Sequence, residues 1–111
     1  MQIPILRITL TLLLLGCAGS PARQVDVQRL KGAWTTGGPS FDFVIQDRTI
    51  LFEFDMKEHP YRIEGDVVVI DFQDPTLGVQ RKRIIRVTDD ELEWEDVEYQ
   101  VRGVYQRMPG T

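Results

Sequence analysis

Cysteine is nearly absent from this chain: Cys17 is the only one in 111 residues. An intramolecular disulfide is therefore excluded. Histidine is as scarce, with His59 alone, and that removes His-rich zinc and haem sites. Positive charge is in deficit, since 13 Lys and Arg face 17 Asp and Glu for a formal net charge of −4. Binding a phosphate backbone needs a basic surface, so no nucleic-acid partner is expected. No apolar run reaches the roughly 20 residues that a spanning helix requires. Glycine-rich phosphate loops are missing. After Cys17 the only serines are Ser20 and Ser40. His59 thus has no obvious nucleophile to activate, so neither an enzyme nor a cofactor is expected.

The N-terminal residues carry the first positive signal. "MQIPILRITLTLLLL", residues 1–15, has a basic start at Arg7 and a short apolar stretch. That pattern fits a secretory signal. Leu14-Leu15-Gly16-Cys17 resembles the lipobox of bacterial lipoproteins. The resemblance implies a diacylglycerol on the Cys17 thiol, cleavage before it and acylation of the new amine. One acyl chain holds a protein only marginally, whereas two or three hold it stably. It also implies a cell-envelope address, and Ala18 points to the periplasmic side of the outer membrane rather than the inner one. The chain then divides into a signal (1–16), a lipidated N-terminus and tether (17–26), a folded domain (27–108) and a short tail (109–111).

The folded part reads as all-β. From Ser40 onward apolar and polar residues alternate in short runs between turn residues, the pattern of half-buried strands at regular spacing. A helical turn over Val25–Leu30 precedes them, capped by Asp26 and ended by Gly32. With 46–49 as a turn, Phe43 faces Phe52, Ile45 faces Ile50 and Phe41 faces Phe54. With 57–60 as a turn, Met56 faces Tyr61, Phe54 faces Ile63 and Asp55 faces Arg62. A two-residue turn at Gly65-Asp66 sets Ile63 against Val68 and Tyr61 against Ile70. Asp89-Asp90 sets Val87 against Leu92, Ile85 against Trp94 and Arg86 against Glu93. Asp96-Val97 sets Trp94 against Tyr99 and Leu92 against Val101. Residues 73–78 form a longer loop. With one strand near Trp34 the count is eight, enough for a small antiparallel up-and-down barrel that leaves no open edge. A β-sandwich is the alternative.

"LKGAW", 30–34, resembles the opening motif of the lipocalins, and "YRIEGDVVVI" and "VTDDELEW" are similar in spacing to short bacterial lipocalin-like lipoproteins. The resemblance implies that Gly32, Trp34 and Arg107 close one end of the barrel, with Arg107 over the Trp34 ring. It also implies a small apolar or amphipathic ligand, or an envelope component, held by the barrel. Full lipocalins are longer and end in a helix that this chain lacks after its last strand. Many inward positions are aromatic, so a mostly filled interior is expected. Phe43, Phe52, Phe54, Tyr61, Arg83, Trp94 and Tyr99 are the candidate ligand contacts. A structural or inhibitory protein-interaction module with a filled barrel is the alternative, using an outer face that includes Val44, Leu51 and Ile84.

Other features have plainer explanations. Asp42 and Glu53 oppose each other with Asp55 nearby, a weak candidate for a cation; a solvated acidic face relieved by Arg62 explains them better. "QRKRIIRV", 80–87, pairs with the acidic strand that follows, through Arg86–Glu93 and Arg81–Glu98; Lys82 and Arg86 remain available to anionic lipid head groups. Arg83 shares the parity of Ile85 and so points inward, where it meets either an anionic ligand or, the plainer reading, its cross-strand neighbour Asp96.

Overall fold

A computed structural model describes residues 25–111; Cys17, the signal and most of the tether lie outside the described residues. A helical turn α1 (Val27–Leu30) leads into eight strands. These are β1 (Gly32–Thr35), β2 (Phe43–Ile45), β3 (Thr49–Phe52), β4 (Lys57–Glu64), β5 (Val67–Asp71), β6 (Val79–Val87), β7 (Glu91–Asp96) and β8 (Arg102–Arg107). Each strand pairs antiparallel with the next, and β1 pairs with β8, so the sheet closes into a barrel in simple up-and-down order. Closure removes every sheet edge, which is how a chain this short escapes edge-to-edge aggregation.

Asp26 caps α1, its carboxylate accepting from the Gln28 and Arg29 amides. Three hairpin registers match the sequence pattern. Phe43 and Ile45 face Phe52 and Ile50; Tyr61 and Ile63 face Ile70 and Val68; Val87 faces Leu92 and Arg86 faces Glu93. In each, the register that puts apolar side chains on one face is the register adopted.

Three other registers differ from expectation, each for a local reason. Residues 57–60 are not a turn but the start of β4, and the chain reverses at 53–56 instead. There Met56 takes a left-handed φ of 52° and its amide bonds the Phe52 carbonyl, while the Asp55 carboxylate accepts from the Lys57 amide. Ile50 therefore faces His59 and Phe52 faces Lys57, and neither Phe54–Ile63 nor Asp55–Arg62 forms. Phe41 lies before β2, so it has no ladder partner in Phe54. Pro60 is tolerated within β4. The Tyr61 amide bonds back toward β3 at Arg48, and pairing with β5 begins only at Tyr61, so the proline nitrogen faces the unpaired side.

The second difference is a β-bulge between Ile84 and Arg86. Ile84 and Val87 are three residues apart, so an unbroken strand would send them to opposite faces. The extra residue, Ile85, lets Ile84 face Trp94 while Val87 faces Leu92. Upstream of the bulge every side chain changes face. Ile84 is buried in the core rather than part of an outer patch, Lys82 points inward opposite Asp96, and Arg83 points out opposite Glu95.

The third is the β7–β8 connection, which spans 97–101 instead of two residues. Asp96 builds it: one carboxylate oxygen accepts from the Glu98 and Tyr99 amides, and its carbonyl accepts from Gln100, whose φ is 58°. Trp94 consequently faces Gly103 and Leu92 faces Tyr105. Tyr99 and Val101 are left in the loop, 77% and 65% exposed.

Strand polarity assigns the two ends. The turns at 46–48, 65–66 and 88–90 lie with α1 at one end, and the longer loops at 36–42, 53–56, 72–78 and 97–101 lie at the other. The middle is filled: Ile50, Val68, Ile70 and Leu92 are wholly buried, with Ile45 and Ile84 nearly so.

Candidate functional site

The tight-turn end is shut by Arg107. Its guanidinium carbon lies 4.3 Å over the centre of the Trp34 ring. Its N–H groups donate to the carbonyls of Asp89, Lys31 and Arg29, tying α1, the α1–β1 junction and the β6–β7 turn to β8. Trp34 is fully buried and its indole N–H donates to the Leu30 carbonyl at 2.8 Å. Gly32 makes room for this cluster. Its φ is +132°, and a Cβ there would sit 2.5 Å from an Arg107 nitrogen. Gly32, Trp34 and Arg107 thus meet as the sequence motif implies and plug this end of the barrel; a separate hollow of about 340 Å³ lies beside α1, lined by Val25, Asp26, Arg29, Asp66 and the end of β6.

The long-loop end is different. An aromatic stack rises from the core into an open cleft of about 370 Å³. Phe43 stacks on Trp94 at 4.8 Å and meets the edge of Tyr105 at 4.8 Å. Phe52 lies 5.8 Å from Phe43 and 5.0 Å from Phe72, and Phe54 extends the series to the rim. Offset and edge-on pairs of this kind add about 0.5–1.5 kcal/mol each beyond the area they bury. Gly103 is part of the arrangement. The Tyr105 ring folds back over it, and a Cβ on Gly103 would sit 2.6 Å from the Tyr105 hydroxyl oxygen and 2.8–2.9 Å from ring carbons.

Polar groups are few and placed at the margin. Asp42 and Glu53 line one side of the cleft, and Gln80 and Lys82 line the other. Lys82 is satisfied within the protein by Asp96 at 3.0 Å. Burial acts to raise the Asp96 pKa, but the Tyr99 and Glu98 amides and the Lys82 ammonium outweigh it and hold the carboxyl below its ordinary value. The Tyr105 hydroxyl is shifted upward, by burial first and by the Asp42 charge in addition, with the Trp94 indole acting against both. Asp42 also fixes the β1–β2 loop by accepting from the Thr36 amide at 2.6 Å.

His59 is buried behind the cleft, its ring 4.8 Å from Phe72. Its Nε2 meets the Asp55 carboxylate at 2.7 Å, and its Nδ1 has no partner among the described residues. Burial pushes the Asp55 pKa up, but the His59 ring, the Lys57 amide and the charges of both residues bring it below the ordinary value. The pair pins the 53–56 turn that carries Phe54 and Met56.

The structure sorts the expected ligand contacts. Phe43, Phe52 and Trp94 are brought together in the cleft, with Phe54 at its rim and 60% exposed. Tyr61 is not among them: its hydroxyl donates to the Gln46 carbonyl at 2.6 Å, near the opposite end. Arg83 lies on the outer face, 3.9 Å from Asp66, because the bulge reversed its parity. Tyr99 stands in the β7–β8 loop beside an adjoining hollow, which shares Gln80, Lys82, Trp94 and Tyr105 with the cleft. Asp42, Glu53 and Asp55 do not assemble as metal ligands. Asp55 is committed to His59, and no group of three His, Cys, Asp or Glu suited to a metal occurs among the described residues. The outer-face ion pairs Arg86–Glu93 and Arg81–Glu98 form at 3.6 Å and 3.9 Å.

Phe72, Leu77, Lys82 and Tyr105 complete the cleft without having been candidates. For Phe72 and Tyr105 the alternation of apolar and polar residues is the signal that could have found them. Lys82 was hidden by the bulge. No family model, curated protein or solved structure matches the chain.

Proposed function

We propose that this is a lipid-anchored cell-envelope lipoprotein whose barrel, similar to that of the lipocalins, binds a small apolar or amphipathic molecule at its open mouth. The observation that carries the reading is the aromatic cleft of about 370 Å³ above a filled core. Its size and lining suit one small ligand: apolar walls supply most of the contact, and a few marginal polar groups supply orientation. The anchor rests on the Gly16-Cys17 motif. The motif-derived closure by Gly32, Trp34 and Arg107 supports the lipocalin comparison. Binding rather than catalysis is proposed, because the rings offer contact surface and the Asp55–His59 pair has no nucleophile set against it among the described residues.

Native mass spectrometry of the barrel domain, produced without residues 1–17, tests the ligand. A retained small apolar mass, or uptake of the added neutral dye N-phenyl-1-naphthylamine competed by n-hexanol, is the expected result. A clean apo mass together with no dye uptake overturns it. A second reading is favoured by one observation: Phe54, Met56, Tyr99 and Val101 are each at least 60% exposed, and all sit in the mouth loops. Such a rim suits docking of an envelope protein. In that case the dye is not taken up, and the rim variant Phe54→Ser, Tyr99→Ser abolishes co-purification of a partner.

A further inference from the structure

The charges around the mouth are not balanced. Two carboxylates, Asp42 and Glu53, line the cleft, and Lys82 is the one basic side chain that does so among the described residues. Lys82 is neutralised from within, because its ammonium is held 3.0 Å from the Asp96 carboxylate. Asp96 is buried and its other oxygen already accepts two loop amides, so it has no reason to release the lysine. Asp42 spends one oxygen on the Thr36 amide, yet its charge still reaches the Tyr105 hydroxyl across the cleft. Glu53 is exposed, and its carboxylate has no partner among the described residues. The net field inside the mouth is therefore negative, and the whole chain is net negative as well.

The walls favour the same sign. Aromatic faces carry negative quadrupole charge, so a cation over such a face is attracted, the more strongly the further it is desolvated. Phe43, Phe52, Phe72 and Trp94 form the buried floor of the cleft, each no more than 8% exposed, and the ring surface open to a ligand is chiefly that of Phe54, 60% exposed at the rim, and of the partly buried Tyr105. A weakly hydrated organic cation is the species that both features attract. A metal ion is not, since it would have to exchange its water for oxygen ligands that the cleft does not gather.

Resting on the binding reading above, we infer that the mouth selects organic cations, of the quaternary or tertiary ammonium class with an apolar substituent, over neutral and anionic molecules of the same shape. The cationic head lies between the aromatic stack and Glu53, with Asp42 behind it. The apolar substituent reaches down toward Phe72 and Leu77.

Three small probes of one shape separate the possibilities: benzyltrimethylammonium, benzyl alcohol and phenylmethanesulfonate. Each is titrated into the full chain in neutral detergent, with Trp94 fluorescence as the readout in a Trp34→Phe background. The cation is expected to bind at least about tenfold more tightly than the alcohol, and the sulfonate most weakly. The ratio of cation to alcohol should fall toward one in Glu53→Gln, and should shrink at high salt. Equal binding of cation and alcohol overturns the charge selectivity and leaves the binding reading standing. Tightest binding by the sulfonate overturns it too, and assigns the mouth to Lys82. If none of the three perturbs Trp94, both readings fail.

Discussion

At the residue scale, one glycine shows how much of the fold rests on a missing side chain. Gly32 combines a φ of +132° with a guanidinium 2.5 Å from where a Cβ would stand. Gly32→Ala must strain the backbone and displace Arg107, and a loss of about 1–3 kcal/mol is expected. Chemical denaturation should show it as a lower midpoint with an unchanged slope. Arg107→Lys tests the same cluster from the other side. A lysine offers neither the planar fork to three carbonyls nor the same stacking on Trp34. A destabilisation of about 2 kcal/mol is expected, with the Trp34 contribution to near-ultraviolet dichroism reduced. The glycine–tryptophan–arginine set was legible in the sequence, because its members follow from a motif and from strand parity. His59 was not. Its proline neighbour suggested a turn, and the competing signal was Asp55, whose short side chain helps fold the chain four residues earlier.

At the scale of elements, the legible hairpins were those in which apolar pairing alone decides the register. Phe43–Ile45 against Ile50–Phe52 and Tyr61–Ile63 against Val68–Ile70 are of that kind. The illegible ones are controlled by single side chains acting on the backbone. Asp96 lengthens the β7–β8 loop by gathering two amides, and the adjacent Ile84-Ile85 pair is resolved by a bulge. Alternation counts faces, but it cannot register one extra residue, so it placed Arg83 where Lys82 stands. Asp96→Ala should cost about 1–2 kcal/mol by removing this carboxylate cap. Its pH signature is specific. A carboxyl whose pKa is depressed by folding contributes stability above its unfolded pKa, near 3.8, and that stability is lost as pH falls through the lower folded value. The wild-type protein should therefore lose stability from about pH 4 downward. Asp96→Asn should flatten that acid limb, read by thermal unfolding between pH 2 and 6.

At the scale of the whole molecule, the barrel has a shut end and an open end, and the chain enters at the shut one through α1. A lipid on Cys17 would thus hold the barrel by the end opposite the aromatic cleft. The intervening residues, fully extended at about 3.5 Å each, reach at most roughly 30 Å, about the length of a small domain. Intact mass of protein extracted from membranes checks the anchor. A chain beginning at Cys17 and carrying two or three acyl groups is expected, whereas residues 1–16 retained beside a free thiol would refute it. The filled interior was foreseen from the number of inward aromatics, but their gathering at one end was not. That asymmetry arises because the tight turns lie at one end and the long loops at the other, and the aromatic side chains of the loops and of the strand ends beside them meet there.

The binding of one small molecule at the aromatic mouth is tested most directly by fluorescence in two single-tryptophan variants. Trp94 lines the cleft and Trp34 is buried beneath Arg107. In Trp34→Phe, which keeps Trp94, titration with benzyltrimethylammonium should shift or quench the emission saturably. In Trp94→Phe, which keeps Trp34, the same titration should leave the emission unchanged. A response from Trp34, or none from Trp94, would contradict a ligand site at the mouth.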